Sequence, residues 1–389
     1  MSAHRCLSSL AVSALLIAAL GLFASAGSDK QPDKFRVYVG TYTGGGKSKG
    51  IYTFDLDAKT GKMSKPVVAA ETKDPSFVAI HPGHKFLYAV GEGGAKGGVH
   101  AFSIDAKTGM LTLINSQPSG GAGPCHLIVD PSGNNVLAAN YGGGSCCCIP
   151  IKSDGSLEDP SAVMQHKGSS VNKARQEGPH AHSINVDAKN RFAFCADLGL
   201  DKVLVYRFDS AKHTLTANDP PAFDTAPGAG PRHFAFHPDG KTAYICGELD
   251  MTLTACEYDA DKGVLTKTQV LPTLPENAKR KGASTAEVVV HPSGQFVYVS
   301  NRGHNSIAIF GIGAKTRIVT LIGHQSKGIS TPRNFAIEPT GHYMLVANQD
   351  GHSVIAFRIN QKSGELTPTD SSVDIPSPVC VRFLPMTKG

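Results

Sequence analysis

Short stretches of alternating apolar and polar residues, separated by turn-forming residues, fill the chain from residue 35 onward. One of them sets the pattern. Pro231-Arg232-His233-Phe234-Ala235-Phe236 alternates as a half-buried strand does. Pro238-Asp239-Gly240 follows, combining a preset φ, a side chain that bonds its own backbone, and a residue free to take φ > 0. Thr242-Ala243-Tyr244-Ile245-Cys246 then reads as a second strand, ending at Gly247-Glu248. Antiparallel pairing brings Arg232, at the entry of this hairpin, beside Glu248, at its exit.

The unit recurs, with entries at Pro75, Pro124, Pro179, Pro231, Thr285, Pro332 and Pro378. A strand-turn-strand unit repeating at this spacing marks a β-propeller, and seven entries predict seven blades. Each full repeat carries four strands. The segment from Phe35 to Ala70 lacks a first strand, and Val379 to Leu384 is a first strand with nothing after it. Joining the two completes a blade and removes two unpaired edges. The sequence therefore predicts an all-β, seven-bladed propeller over residues 35–385, closed by its N- and C-terminal strands. A monomer is expected.

Composition fits one large β domain rich in turns: 389 residues with 42 Gly and 24 Pro, and no Trp that would mark a WD-type repeat. The first residues stand apart. His4 and Arg5 precede an apolar run from Leu10 to Phe23, followed by Ala24-Ser25-Ala26. That order describes a secretory leader over 1–26, with cleavage after Ala26 and a short linker over 27–34. Export to the periplasm or beyond is expected, with no lasting membrane association. The net charge of +6 carries no Lys/Arg run, which argues against nucleic acid. The cysteines show no C-x-x-C spacing, so neither a metal nor another cofactor is expected. They read as small buried hydrophobes in strands.

Aligning the repeats on their turns exposes two columns where inner strands start and second strands end. The starts carry Ser76, Cys125, His182, Arg232, Ala286, Arg333 and Val379, followed by residues that include His233, Glu287 and Asn334. The ends carry Tyr42, Glu92, Tyr141, Leu198, Glu248, Arg302 and Gln349, preceded by residues that include Asn301. A plain core would hold Val, Ile or Ala there. Charged groups converging where blades crowd need partners or a ligand. Arginine's planar fork suits a carboxylate or phosphate, so an anionic small molecule is the expected partner. Ion pairs that only fasten blades, Arg232–Glu248 and Arg302–Glu287, are the structural alternative. His180-x-His182 could form half of a metal site, but no third ligand is evident.

Tyr38-Val39-Gly40-Thr41-Tyr42-Thr43, Gly178-Pro179-His180-Ala181-His182-Ser183, Gly230-Pro231-Arg232-His233, Gly247-Glu248-Leu249, Ser300-Asn301-Arg302-Gly303-His304 and Pro332-Arg333-Asn334-Phe335 follow one another in the order of a known family. At these residues the chain resembles the seven-bladed propeller lactonases of the 6-phosphogluconolactonase type, and the related carboxymuconate cyclases. The resemblance implies a catalytic His, two Arg and a Glu: His182, Arg232, Glu248 and Arg302. His180 is an alternative for the histidine. His180, His233, Glu287, Asn301, Arg333 and Asn334 are expected to contact substrate. The implied reaction is lactone hydrolysis, with Glu248 as base, Arg232 and Arg302 on the oxyanion, and His182 protonating the leaving oxygen. A muconate-type cycloisomerase and a non-enzymatic exported propeller binding a partner on its top face are the alternatives. The export signal sets the chain apart from the cytoplasmic sugar-phosphate enzymes of that family.

Overall fold

A computed structural model describes residues 32–93 and 97–386. The expected leader over 1–26, its cleavage point and residues 27–31 of the linker lie outside the described residues. Every regular element described is a strand, and the strands form seven four-stranded antiparallel sheets. The innermost strands are Val78–Ile80, Pro124–Val129, Ala181–Val186, Pro231–Phe236, Ser284–Val290, Pro332–Ile337 and Pro378–Pro385. Each packs against the next, and the last against the first, so the ring closes around a central channel.

The closing blade forms as the hydrophobic pattern requires. Pro378–Pro385 pairs antiparallel with Lys34–Thr41, from Phe35↔Pro385 to Thr41↔Pro378, and Gly50–Asp57 and Val67–Glu71 complete the sheet. Both edges of Lys34–Thr41 are thereby paired.

Period-2 alternation seals the interfaces between blades. In the strand Ser145–Pro150, Cys147 packs into the core on one side while Cys146 and Cys148 pack into the core on the other. All eight cysteines of the described chain are buried and unpaired. Tyrosines add polar fasteners. The hydroxyls of Tyr38, Tyr88, Tyr298 and Tyr343 donate to Gly109, Gly155, Gly364 and Lys59 carbonyls at 3.0, 3.0, 2.9 and 3.1 Å, each on the outer turn of the next blade. A buried hydroxyl needs such a partner to offset its desolvation.

One irregularity recurs and positions the functional groups. Six of the seven inner strands carry a β-bulge near their start. The register passes from Ala181↔Asp197 to Ser183↔Ala196, leaving His182 unopposed. Arg232 is skipped between Pro231↔Gly247 and His233↔Cys246. Arg333 is skipped likewise, as are Cys125 and Val379. In the fifth blade Ala286 and Glu287 oppose Ser300 alone. A bulge leaves one residue out of the ladder and turns its side chain away from the sheet normal. Here the freed side chains turn into the mouth of the channel.

Candidate active site at the channel mouth

Glu248 is the centre of the site. It lies just beyond the strand Thr242–Gly247, and its N–H donates to the Gly230 carbonyl at 2.8 Å. Only 4% of the residue is exposed. Three arginines from three places converge on its carboxylate. Arg302, at the end of Phe296–Arg302, brings Nη2 to 3.0 Å from Oε2. Arg232 brings Nε to 2.9 Å of the same oxygen without the alignment of a hydrogen bond, so that contact is electrostatic. Arg175, from the connection that follows the strand Ala162–Gln165, donates to Oε1 at 2.7 Å and to the Tyr141 hydroxyl at 3.3 Å. Arg232 also donates to the Ala286 carbonyl, and Arg302 to the Thr285 carbonyl at 2.9 Å.

These contacts set the charge state. Burial alone would raise the Glu248 pKa, but the charges of Arg302, Arg232 and Arg175 outweigh it and bring it to about 2. Burial, opposed by Glu248, lowers Arg302 to about 10, which still leaves it cationic at neutral pH. His182 sits beside this cluster with Nδ1 3.7 Å from the Cys125 sulfur. Burial first, then the Arg232, His233 and Arg333 charges, hold its pKa well below the usual imidazole range, so the ring is neutral. Neutral His182 cannot act as the imidazolium acid of the simplest hydrolytic scheme, and a carboxylate at about 2 is a weak base.

A second arginine centre faces the first across the mouth. Arg333 donates to the Tyr42 hydroxyl at 2.8 Å and stands 5.2 Å over its ring. Tyr42 donates to Glu92 at 3.2 Å, and Ser76 donates to the other oxygen of Glu92. Below both centres the channel is filled. His233 contacts Glu287 through Nδ1 at 2.7 Å, and Asn334 donates to the other oxygen of Glu287. The rings of His126, His182, His233 and Phe77 pack edge-on or tilted, with centroids 4.2 to 5.9 Å apart.

The space enclosed by Tyr42, Ser76, Cys125, His182, Arg232 and Arg333 is only about 10 Å³, enough for about one water. A ligand larger than a water must lie above this floor, which requires a side chain there to give way. Arg175 is the arginine able to do so, with 42% of its side chain exposed against 3% for Arg232 and 14% for Arg302. A larger cavity, about 1230 Å³, is lined by turns of the third and fourth blades, with Arg317 of the fifth. Its lining includes the ion pairs Arg317–Asp239 at 3.0 Å and Lys189–Asp261 at 3.7 Å. It lacks the convergence of buried charge found at the mouth.

The family model described as a seven-bladed β-propeller lactonase matches residues 36–383. The chain belongs to that lactonase family. It is 37% identical over 351 residues to the 6-phosphogluconolactonase of Bacillus subtilis, covering 90% of this chain and 99% of that one. The solved periplasmic gluconolactonase of Pseudomonas aeruginosa is 29% identical with a TM-score of 0.85, covering 91% of this chain and 100% of that one. A solved structure from Bacteroides fragilis is 36% identical with a TM-score of 0.85, covering 90% and 98%.

In this lactonase fold His182, Arg232, Glu248, Arg302 and Arg333 gather at one mouth. Arg302 pairs with Glu248 and not with Glu287, the partner the sequence suggests. His233, Glu287 and Asn334, expected to contact substrate, instead form a buried layer beneath the mouth, Asn334 only 1% exposed. His180 lies outside the ring of bulged residues, stacked at 4.5 Å on Tyr141 and bonded to the Tyr141 carbonyl and Glu177, so it does not join His182 in a half-site for metal. Asn301 faces away altogether. Its amide is consumed by Thr273 Oγ1 at 2.7 Å, the Thr273 carbonyl at 2.9 Å and Ser306 at 3.3 Å. Neighbours in a strand point to opposite faces, so Asn301 and Arg302 cannot both enter the mouth. Asn140 and Asn348 make the equivalent clamps to Ser119 and Gly328 carbonyls. Asn301→Ala should therefore cost about 1–3 kcal/mol of stability, the penalty for unpairing buried groups, with KM unchanged. Chemical denaturation beside steady-state kinetics checks this, and a raised KM at unchanged stability would restore Asn301 to the site.

Arg175 is the residue the sequence conceals. It comes from an irregular connection, 73 positions from its partner, with no periodicity to place it. The overhanging polar stretch from Gln165 to Glu177 is its only signal. Tyr42, Glu92 and Tyr141 stand in the strand-end column, and their roles follow once the mouth is assembled.

Proposed function

We propose that the protein is a lactone hydrolase that opens an anionic sugar lactone, such as a phosphorylated gluconolactone, to the aldonic acid at this mouth. The convergence of Arg175, Arg232 and Arg302 on one buried carboxylate, with Arg333 opposite, carries the reading. It provides fixed positive charge where an oxyanion develops and where a substrate anion would rest.

The electrostatics favour a base that appears only when substrate is bound. An anionic substrate competes with Glu248 for Arg175 and draws that side chain off Oε1. The loss of one guanidinium and the arrival of a negative charge both raise the Glu248 pKa, since nearby charge sets it. The same negative charge raises His182. Glu248 then takes a proton from water as the water oxygen bonds to the lactone carbonyl carbon. Arg232 and Arg302 hold the resulting oxyanion. Its collapse breaks the bond to the ring oxygen, which leaves as an alkoxide and takes up, relayed through His182, the proton that Glu248 removed from the water. Water has been added, and the new carboxyl group loses its proton to solution. Arg333 and the displaced Arg175 grip the distal anion.

The leader expected over 1–26 and the likeness to a periplasmic enzyme support an exported protein. Mass spectrometry of the protein from its native host should find Gly27 at the N-terminus; soluble protein retaining residues 1–26 would contradict export. Function is tested by proton release from a panel of lactones. Phosphorylated gluconolactone should turn over best, plain gluconolactone with a higher KM. Turnover of muconolactone alone, with no oxygen incorporated from labelled water, would instead identify a cycloisomerase.

A further inference from the structure

Away from the mouth, the interface of the second and third blades holds a polar cluster that the lactonase reading does not use. Cys146 lies on the strand Ser145–Pro150, Cys195 on Phe192–Asp197, and His166 directly follows Ala162–Gln165. The two sulfurs and a histidine ring nitrogen lie within 4.8 Å of one another, and all three residues are buried. Among the described residues no other His/Cys/Asp/Glu group meets that condition.

The histidine is oriented as a ligand. Its Nδ1 stands 2.6 Å from Asp197 Oδ2, and Asp197 is fully buried. The other oxygen of Asp197 accepts backbone N–H groups from His180, Gly199 and Leu200 at 2.8, 3.0 and 3.2 Å. A carboxylate so fixed takes the proton on Nδ1 and leaves Nε2 as an acceptor, where the Tyr206 hydroxyl now donates and a metal ion could replace that proton. Tyr206, whose hydroxyl is 2.9 Å from Nε2, supplies a fourth polar group. A carboxylate bonded to the far nitrogen of a histidine is the common outer shell of a metal-bound imidazole. Leu137, Ile184 and Phe208 provide the surrounding apolar wall.

We propose that Cys146, Cys195 and His166 bind one Zn²⁺ ion, with Asp197 orienting His166 and Tyr206 at the fourth position. Two thiolates with one imidazole are soft and intermediate donors that suit this ion. Tetrahedral zinc at about 2.0–2.3 Å holds its donors about 3.5–3.8 Å apart, a modest contraction from the span found here. No C-x-x-C spacing announces the site because its ligands come from three separate elements. The ion would be structural. His166 is the foot of the connection that carries Arg175 to Glu248, and Asp197 holds the start of the strand that carries His182.

The test uses the full chain. Protein purified without chelator should contain one zinc per chain. Protein stripped of metal and titrated with Zn²⁺ should gain about 5 °C in Tm at a hundredfold excess over Kd. Co²⁺ in place of Zn²⁺ should give a thiolate charge-transfer band, which Cys195→Ser abolishes and Cys256→Ser, in another blade interface, retains. Should Cys195→Ser fail to fold, X-ray absorption at the zinc edge of the unaltered protein decides, two sulfur ligands being expected. A Cys146–Cys195 disulfide found by peptide mapping, or free thiols in protein that binds neither ion, would overturn the proposal. So would zinc bound without sulfur ligands.

Discussion

Glu248→Gln is expected to lower kcat roughly 10²–10⁴-fold, the usual span for a lost general base. Glutamine keeps the shape and the acceptor oxygen but cannot take a proton. The same change leaves Arg232 and Arg302 buried without a counter-charge, which costs about 3–5 kcal/mol in comparable buried pairs. Activity must therefore be measured on folded protein below the lowered Tm. The pH dependence gives a second signature. The Glu248 pKa falls from an ordinary 4.5 to about 2 in the folded chain. A depressed carboxyl contributes stability above its unfolded pKa and loses it as pH falls through the folded value. About 3 kcal/mol of wild-type stability should thus disappear between about pH 4.5 and pH 2, and the variant should lack that acid limb. Intact hydrolysis with only a lowered Tm would make Glu248 a blade fastener, and the catalytic assignment would fall.

Arg302→Ala is expected to reduce kcat by about 10²–10³, or about 3 kcal/mol, with a small change in KM. That is the effect of removing one donor from a developing oxyanion. Arg302 is held for this role by Glu248 Oε2 on one side and the Thr285 carbonyl on the other, so its guanidinium is fixed before substrate arrives. Arg333→Ala should show the opposite split, a raised KM with kcat nearly kept, because it faces the mouth from the far side with Tyr42. Steady-state kinetics of both variants separates the roles. A KM effect alone for Arg302 would move it from the oxyanion to the distal anion.

Much of this was legible in the chain. The closing blade follows from one segment lacking a first strand and another lacking everything after it, and Phe35↔Pro385 realises that pairing. The start column picked out Cys125, His182, Arg232 and Arg333 because proline-led entries repeat, and each proves to be a bulge residue. Adjacent positions were harder to sort. Arg232 turns to the mouth while His233 turns down to Glu287, a difference fixed by the bulge and invisible to an alignment of turns. Asn301 is hard to place for a related reason. An asparagine just ahead of a strand end reads as part of the mouth, but in this fold it ties off the preceding connection. The Cys146–His166–Cys195 cluster was beyond reach, since it forms only when two blades pack.

The central claim is that the arginine–Glu248 mouth receives an anionic lactone and reacts with it. A crystal structure with a non-hydrolysable lactam analogue of the phosphorylated sugar lactone tests it most directly. The analogue's carbonyl oxygen should lie about 2.7–3.1 Å from Arg232 or Arg302, its phosphate on Arg333 or Arg175, and Arg175 should have left Glu248. An analogue seated instead in the cavity beside Lys189 and Asp239, with all three arginines still on Glu248, would contradict the account.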